Sequence, residues 1–140
     1  MDVLQATFET NFFGVFRITK AMLPLLKQSK RGRIVNLTSG NASFGFFTNP
    51  NVPLPDRSTL LAYASSKAAL NMMTVRLANQ LKDLGIKVNA ADPGFTATDM
   101  NQHRGTRPVE DAAATPVRLA LLTDDGATGG VFGNDGPEPW

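Results

Sequence analysis

The chain has 140 residues, 42% of them hydrophobic, with a formal net charge of +2 and no cysteine. That suits one globular domain with a core and excludes a disulfide framework or thiolate metal sites; a single His with no carboxylate cluster at ligand spacing argues against any metal site. No apolar run approaches the roughly 20 residues of a membrane span, and Asp2, Glu9, Arg17 and Lys20 are unlike a signal peptide, so we expect a cytoplasmic protein with no membrane partner.

Residues 3–27 show a helical pattern, apolar on most of the circumference and interrupted at Gly14 and Pro24. We expect it to be buried on more than one side. Asn11 is a weak helix former there, and two readings stand: a local kink or N-cap, or a polar group held in a site. Lys27, Lys30, Arg31 and Arg33 form the one basic cluster. Cations at a helix end and in the next turn offset the helix dipole, and we read them so, with no nucleic-acid partner. A β-branched run at 33–39 predicts a strand ending at Ser39 and Gly40. The Phe- and Pro-rich stretch 44–55 follows, where Phe44, Phe46 and Phe47 either cover core or line a pocket.

A long helix is predicted over 58–84, capped by Asp56 or Ser58 and stopped by Gly85, with apolar residues at Leu60, Ala64, Ala68, Val75, Ala78 and Leu81. Tyr63 and Lys67 are four apart, so they leave one face as neighbours, roughly 5 to 6 Å apart at Cβ. A fixed ammonium beside a phenol favours the phenolate and draws its pKa down toward the working range of an acid or base. A plain half-buried tyrosine and a solvated lysine are the alternative.

A strand at 86–91 ends at Asp92-Pro93-Gly94, and a helix at about 108–122 leads through Asp124-Asp125-Gly126 to a last strand near 129–133. The order αβαβαβ implies an α/β fold with parallel strands and right-handed crossovers. Ligands in such sheets bind beyond the carboxyl ends of the strands. Ser39, the Tyr63–Lys67 pair and the Pro93–Gly94 turn therefore converge on one crevice.

In family order, Asn11-Phe12-Phe13-Gly14, the run from Gly32 to Ser39, Tyr63-Ala64-Ser65-Ser66-Lys67 and the run from Val88 to Thr98 resemble the carboxyl-terminal part of a short-chain dehydrogenase/reductase. The long interval between Ser39 and Tyr63 is similar to the carbonyl-reductase-like branch. The resemblance implies part of a doubly wound, Rossmann-like parallel sheet. It also implies hydride transfer between NADP or NAD, with NADP favoured, and a small-molecule carbonyl or alcohol. By resemblance Tyr63 exchanges the proton, Ser39 hydrogen-bonds the reacting oxygen, Lys67 lowers the Tyr63 pKa and holds the nicotinamide ribose, and Asn11 keeps a relay water. Tyr63, Lys67, Pro93, Gly94, Thr96 and Thr98 would then seat the cofactor.

Helices carrying Asn11 and Tyr63 commonly form the subunit interface in this family, which implies a homo-oligomer. No two glycines stand two apart, so the family's Gly-rich cofactor turn does not occur here. We accordingly expect residues 1–140 to be the carboxyl-terminal part of one such domain, without its first half, which would leave an unpaired strand edge and exposed apolar surface. The alternative is a non-catalytic fragment that folds only by association. Substrate choice would rest on 44–61 and 98–108; Met100, His103 and Arg104 belong either to a flap over the site or to a plain surface loop.

Overall fold

The computed structural model describes residues 1–51 and 60–140. The proposed caps Asp56 and Ser58 lie outside the described residues. Helix α1 (Asp2–Phe8), a π-helical turn (Glu9–Gly14) and α2 (Val15–Gln28) follow one another without a break. Pro24 sits inside α2 without ending it. Burial on more than one side does not occur: no residue of the three segments is buried, and Phe13, Phe16, Ile18, Met22 and Leu25 are exposed. Among the described residues, α1 and the π turn touch the later helix Leu61–Leu81 and α2 contributes Leu23 and Leu26 to the core, so the remaining apolar circumference has nothing over it.

Strand β1 (Arg33–Leu37) pairs in parallel with β2 (Lys87–Ala91), Ile34 opposite Val88, and β2 pairs in parallel with β3 (Val131–Gly133), Ala90 opposite Val131. A short β4 (Gly136–Pro137) folds back antiparallel on β3. The α/β parallel architecture agrees with the sequence reading; β4 and a five-residue helix α3 (Phe44–Thr48) are additions, too short to carry a period. The order β1-β2-β3-β4 leaves β1 as an edge among the described residues, beside an apolar groove lined by Ile18, Met22, Leu26, Ile34 and Val35.

Helix α4 (Leu61–Leu81) is the crossover from β1 to β2, continued by a 3-10 turn (Lys82–Leu84) and ended by Gly85 at φ +69°. Ala78 and Leu81 join Ile86 and Val88 in the core, with Ile34 and Leu77 packed against them. The rest of the buried seam is not the expected apolar stripe. Leu60 is exposed, and Ser66, Asn71 and Thr74 are buried instead. Asn71 and Thr74 meet polar partners on β1 and just after it: Asn36 Nδ2 donates to Thr74 Oγ1 at 2.8 Å and Thr38 Oγ1 to Asn71 Oδ1 at 2.6 Å, satisfying groups that would otherwise be costly to bury; Ser66 is held instead by Asn11 and the Tyr63 carbonyl. These bonds fix α4 along β1, so its first turns stand at the strand's carboxyl end. Helix α5 (Val109–Ala120) packs on β1 and β2.

Candidate active site

Ser39 follows β1 in extended conformation, φ −161° and ψ 145°, and caps a 3-10 turn (Gly40–Ala42), its Oγ accepting Asn41 N–H at 3.2 Å. Its hydroxyl also acts on the Tyr63 phenol, drawing the phenol's pKa down. Lys67 lies one turn further along α4. Its ammonium donates to the Leu37 carbonyl at 2.9 Å and stands 5.7 Å from the centre of the Tyr63 ring, over its face.

The expected depression of the Tyr63 pKa by Lys67 is reversed. Burial raises the phenol above its ordinary value, the Ser39 hydroxyl opposes this, and the Asp92 carboxylate adds to the rise. Burial in turn lowers Lys67. The physical reason is placement: the ammonium is spent on a backbone carbonyl and faces the ring, so desolvation outweighs it.

Asn11 lies in the π-helical turn, a distortion often found at functional sites. Its Nδ2 donates to Ser66 Oγ at 3.0 Å, and Ser66 donates to the Tyr63 carbonyl at 2.8 Å. Asn11 thus bears on the backbone of the Tyr63 turn.

The Pro93–Gly94 turn is more occupied than a stretch of open backbone. Pro93 O accepts from Arg107 Nη1 at 3.1 Å and Thr96 Oγ1 at 3.2 Å, and Gly94 N–H donates to Asp92 Oδ1 at 2.8 Å. Gly94 has φ +72°, and a Cβ there would come within 2.8 Å of Arg107 Nη1. Thr98 N–H donates to Asn101 Oδ1 at 3.2 Å, while Asn101 Nδ2 donates to Thr96 O at 2.7 Å, tying the loop to itself. Met100, His103 and Arg104 are exposed, with His103 Nε2 2.9 Å from Asp99.

The fold therefore groups Ser39, Tyr63 and Lys67 directly, attaches Asn11 through Ser66, and joins the Pro93–Gly94 turn to the Ser39 turn. That last junction is Asp92, to which sequence reasoning gave no role: its Oδ2 accepts Gly40 N–H at 2.7 Å. An acidic residue closing an apolar strand was the available signal. Glu138, raised in part by Asp92, had none. At the strand ends the Lys67 ammonium and the Thr96 hydroxyl, each bonded to backbone carbonyls, and the side-chain-free Gly94 are the cationic, polar and close-approach groups that would hold a nicotinamide ribose.

A family model described as short chain dehydrogenase matches residues 1–108. Short-chain dehydrogenase anuI of Penicillium roqueforti is 38% identical over 132 residues, covering 92% of this chain and 51% of that protein. A 3-oxoacyl-[acyl-carrier-protein] reductase of Synechocystis is 35% identical over 147 residues, covering 94% and 54%. Among solved structures, the carbonyl reductase Sniffer of Drosophila melanogaster superposes with a TM-score of 0.79 at 28% identity, covering 98% of this chain and 57% of that one. The chain spans about half the length of these relatives.

Proposed function

Since the chain belongs to the short-chain dehydrogenase/reductase family, we propose that it carries the proton-transfer half of an NAD(P)-dependent carbonyl reductase site, with Tyr63 as the acid. The observation that carries this reading is the cluster of Ser39, Tyr63 and Lys67 at the carboxyl ends of parallel strands. A bound nicotinamide supplies the hydride; position and the proton are the protein's part. The Ser39 hydroxyl, which acts on the Tyr63 phenol, and the Tyr63 hydroxyl would turn to a substrate carbonyl oxygen as two donors, and Tyr63 releases its proton as that oxygen becomes an alcohol. A phenol raised above its ordinary value stays protonated at neutral pH, which favours the reductive direction.

Lys67 and Tyr63 would hold the ribose, while Pro93, Gly94, Thr96 and Thr98 seat the nicotinamide; NADP is preferred to NAD on the family resemblance. Asn11 is read as the water-holding member of the relay that returns the proton. Residues 1–140 are read as the carboxyl-terminal part of one Rossmann-like domain that self-associates through the helices of Asn11 and Tyr63.

Turnover of a carbonyl panel with NADPH and NADH tests the reading. Tyr63→Phe should lower it by on the order of 10² or more while the thermal midpoint holds. Near-normal turnover in that variant would sink Tyr63 as the acid. A second reading, a non-catalytic chain that folds by association, is favoured by the exposed apolar residues of α2 beside the β1 edge. A concentration-dependent oligomer with no NAD(P)H binding would support it.

A further inference from the structure

Asp92 closes β2 and is 8% exposed. Its two oxygens accept the backbone N–H groups of Gly40 and Gly94 at 2.7 and 2.8 Å. Gly40 follows Ser39, and Gly94 follows Pro93. One side chain thus grips both loops of the proposed site at the residues next to those that act. The fit at Gly40 is close, since a Cβ there would lie 3.1 Å from Asp92 Oδ2.

A third neighbour is Glu138, whose carboxyl is raised by the Asp92 carboxyl beside it. Two neighbouring carboxyl groups resist being ionised together. Two N–H donors already engage the Asp92 oxygens and burial raises Glu138, so the proton is assigned to Glu138. The terminal segment delivers Glu138 to this place: its N–H donates to Val131 O at 2.9 Å, and the Ser43 hydroxyl donates to the Pro139 carbonyl.

We propose that Asp92 is a positioning residue of the site and Glu138 its proton-carrying partner. Together they clip the Ser39 loop, the Pro93–Gly94 loop and the terminal segment into one unit and set the negative charge facing Tyr63. The proposal rests on the reading of Tyr63 as the acid.

Charged groups reach this pair from each surrounding element. Asp135 adds negative charge from the β3–β4 turn, while Arg107, bound to Pro93 O, opposes it. Tyr63 faces Asp92 from α4, and Arg118 of α5 holds Gly133 O at 3.2 Å, where the Glu138 carboxyl lies alongside. In this setting burial, followed by Asp92, pushes the Glu138 carboxyl up to about 7. Below that pH the acid holds the clip; above it a second anion opposes Asp92 and the clip is lost.

Tyr63 is the chain's one tyrosine, so tyrosinate absorbance on the full chain reports a single group. Asp92→Asn should move that titration to lower pH, because the carboxylate that raises the phenol is gone. In carbonyl reduction the same variant should lose roughly 10-fold in kcat, from misplaced loops, with a smaller change in KM. Glu138→Gln, which keeps a neutral donor, should remove the fall in kcat/KM as pH rises through about 7. An unshifted Tyr63 titration in folded Asp92→Asn, or a wild-type pH profile in Glu138→Gln, overturns the proposal. If Asp92→Asn does not fold, Glu138→Gln decides alone. Wild-type turnover that Tyr63→Phe abolishes establishes the parent reading separately. Should that reading fail, the Tyr63 titration and a carboxyl-carbon NMR titration of Glu138 still test the clip: a Glu138 that titrates as an ordinary glutamate would refute it.

Discussion

Gly85 and Gly94 have nearly the same φ, +69° and +72°, in different surroundings. A Cβ at Gly85 meets nothing within 4 Å, whereas one at Gly94 meets Arg107 Nη1 at 2.8 Å and Cζ at 3.0 Å. Gly85→Ala should therefore cost only the left-handed backbone term, about 1 to 2 kcal/mol. Gly94→Ala should cost about 1 kcal/mol more, since it displaces the guanidinium from Pro93 O. Urea midpoints measured side by side check this, and equal costs would mean Arg107 moves aside freely. Both glycines were legible as turn residues, and the Tyr63–Lys67 spacing was legible as a side-chain contact. The sign of the Tyr63 shift was not, because burial and the Asp92 charge come from tertiary neighbours that spacing does not reveal.

Helix α4 shows what a period can and cannot tell at the level of an element. Its length and its stop at Gly85 followed from composition, and Ala78 and Leu81 were correctly placed inside. The buried Ser66, Asn71 and Thr74 escaped notice because an apolar pattern does not count polar residues, which go inside only where tertiary neighbours supply partners: Asn36 and Thr38 for Thr74 and Asn71, Asn11 for Ser66. Thr74→Val should strand the Asn36 amide and cost about 1 to 3 kcal/mol. Thr38→Val combined with Asn71→Leu should cost less than the two singles summed, since no partner is left unpaired. A double-mutant cycle by chemical denaturation measures both, and additivity would mean the pair is not coupled. β1 and β2 were readable from β-branched runs, while β4, two residues long, exists only because β3 is there to receive it.

For the whole molecule, the Glu138 carboxyl makes stability depend on pH. Raised from 4.5 to about 7, it keeps a proton in the folded state that the unfolded chain has already released. Stability from this group is thus full below about 4.5 and falls as pH climbs through about 7. Glu138→Gln does not titrate and should gain on the wild type across that window, as read from urea midpoints at several pH values; a constant difference would contradict the raised carboxyl. The π-helical turn at Glu9–Gly14 has a consequence of another kind. Each residue advances an α-helix by about 100°, so a wider turn absorbs one residue's worth of phase. Asn11 on Ser66 and Leu23 and Leu26 on the core are geared through that offset. Excising a single residue there would rotate α2 by about a quarter-turn against α1, and the chain would keep either its hold on the Tyr63 turn or its grip on the hydrophobic interior, not both.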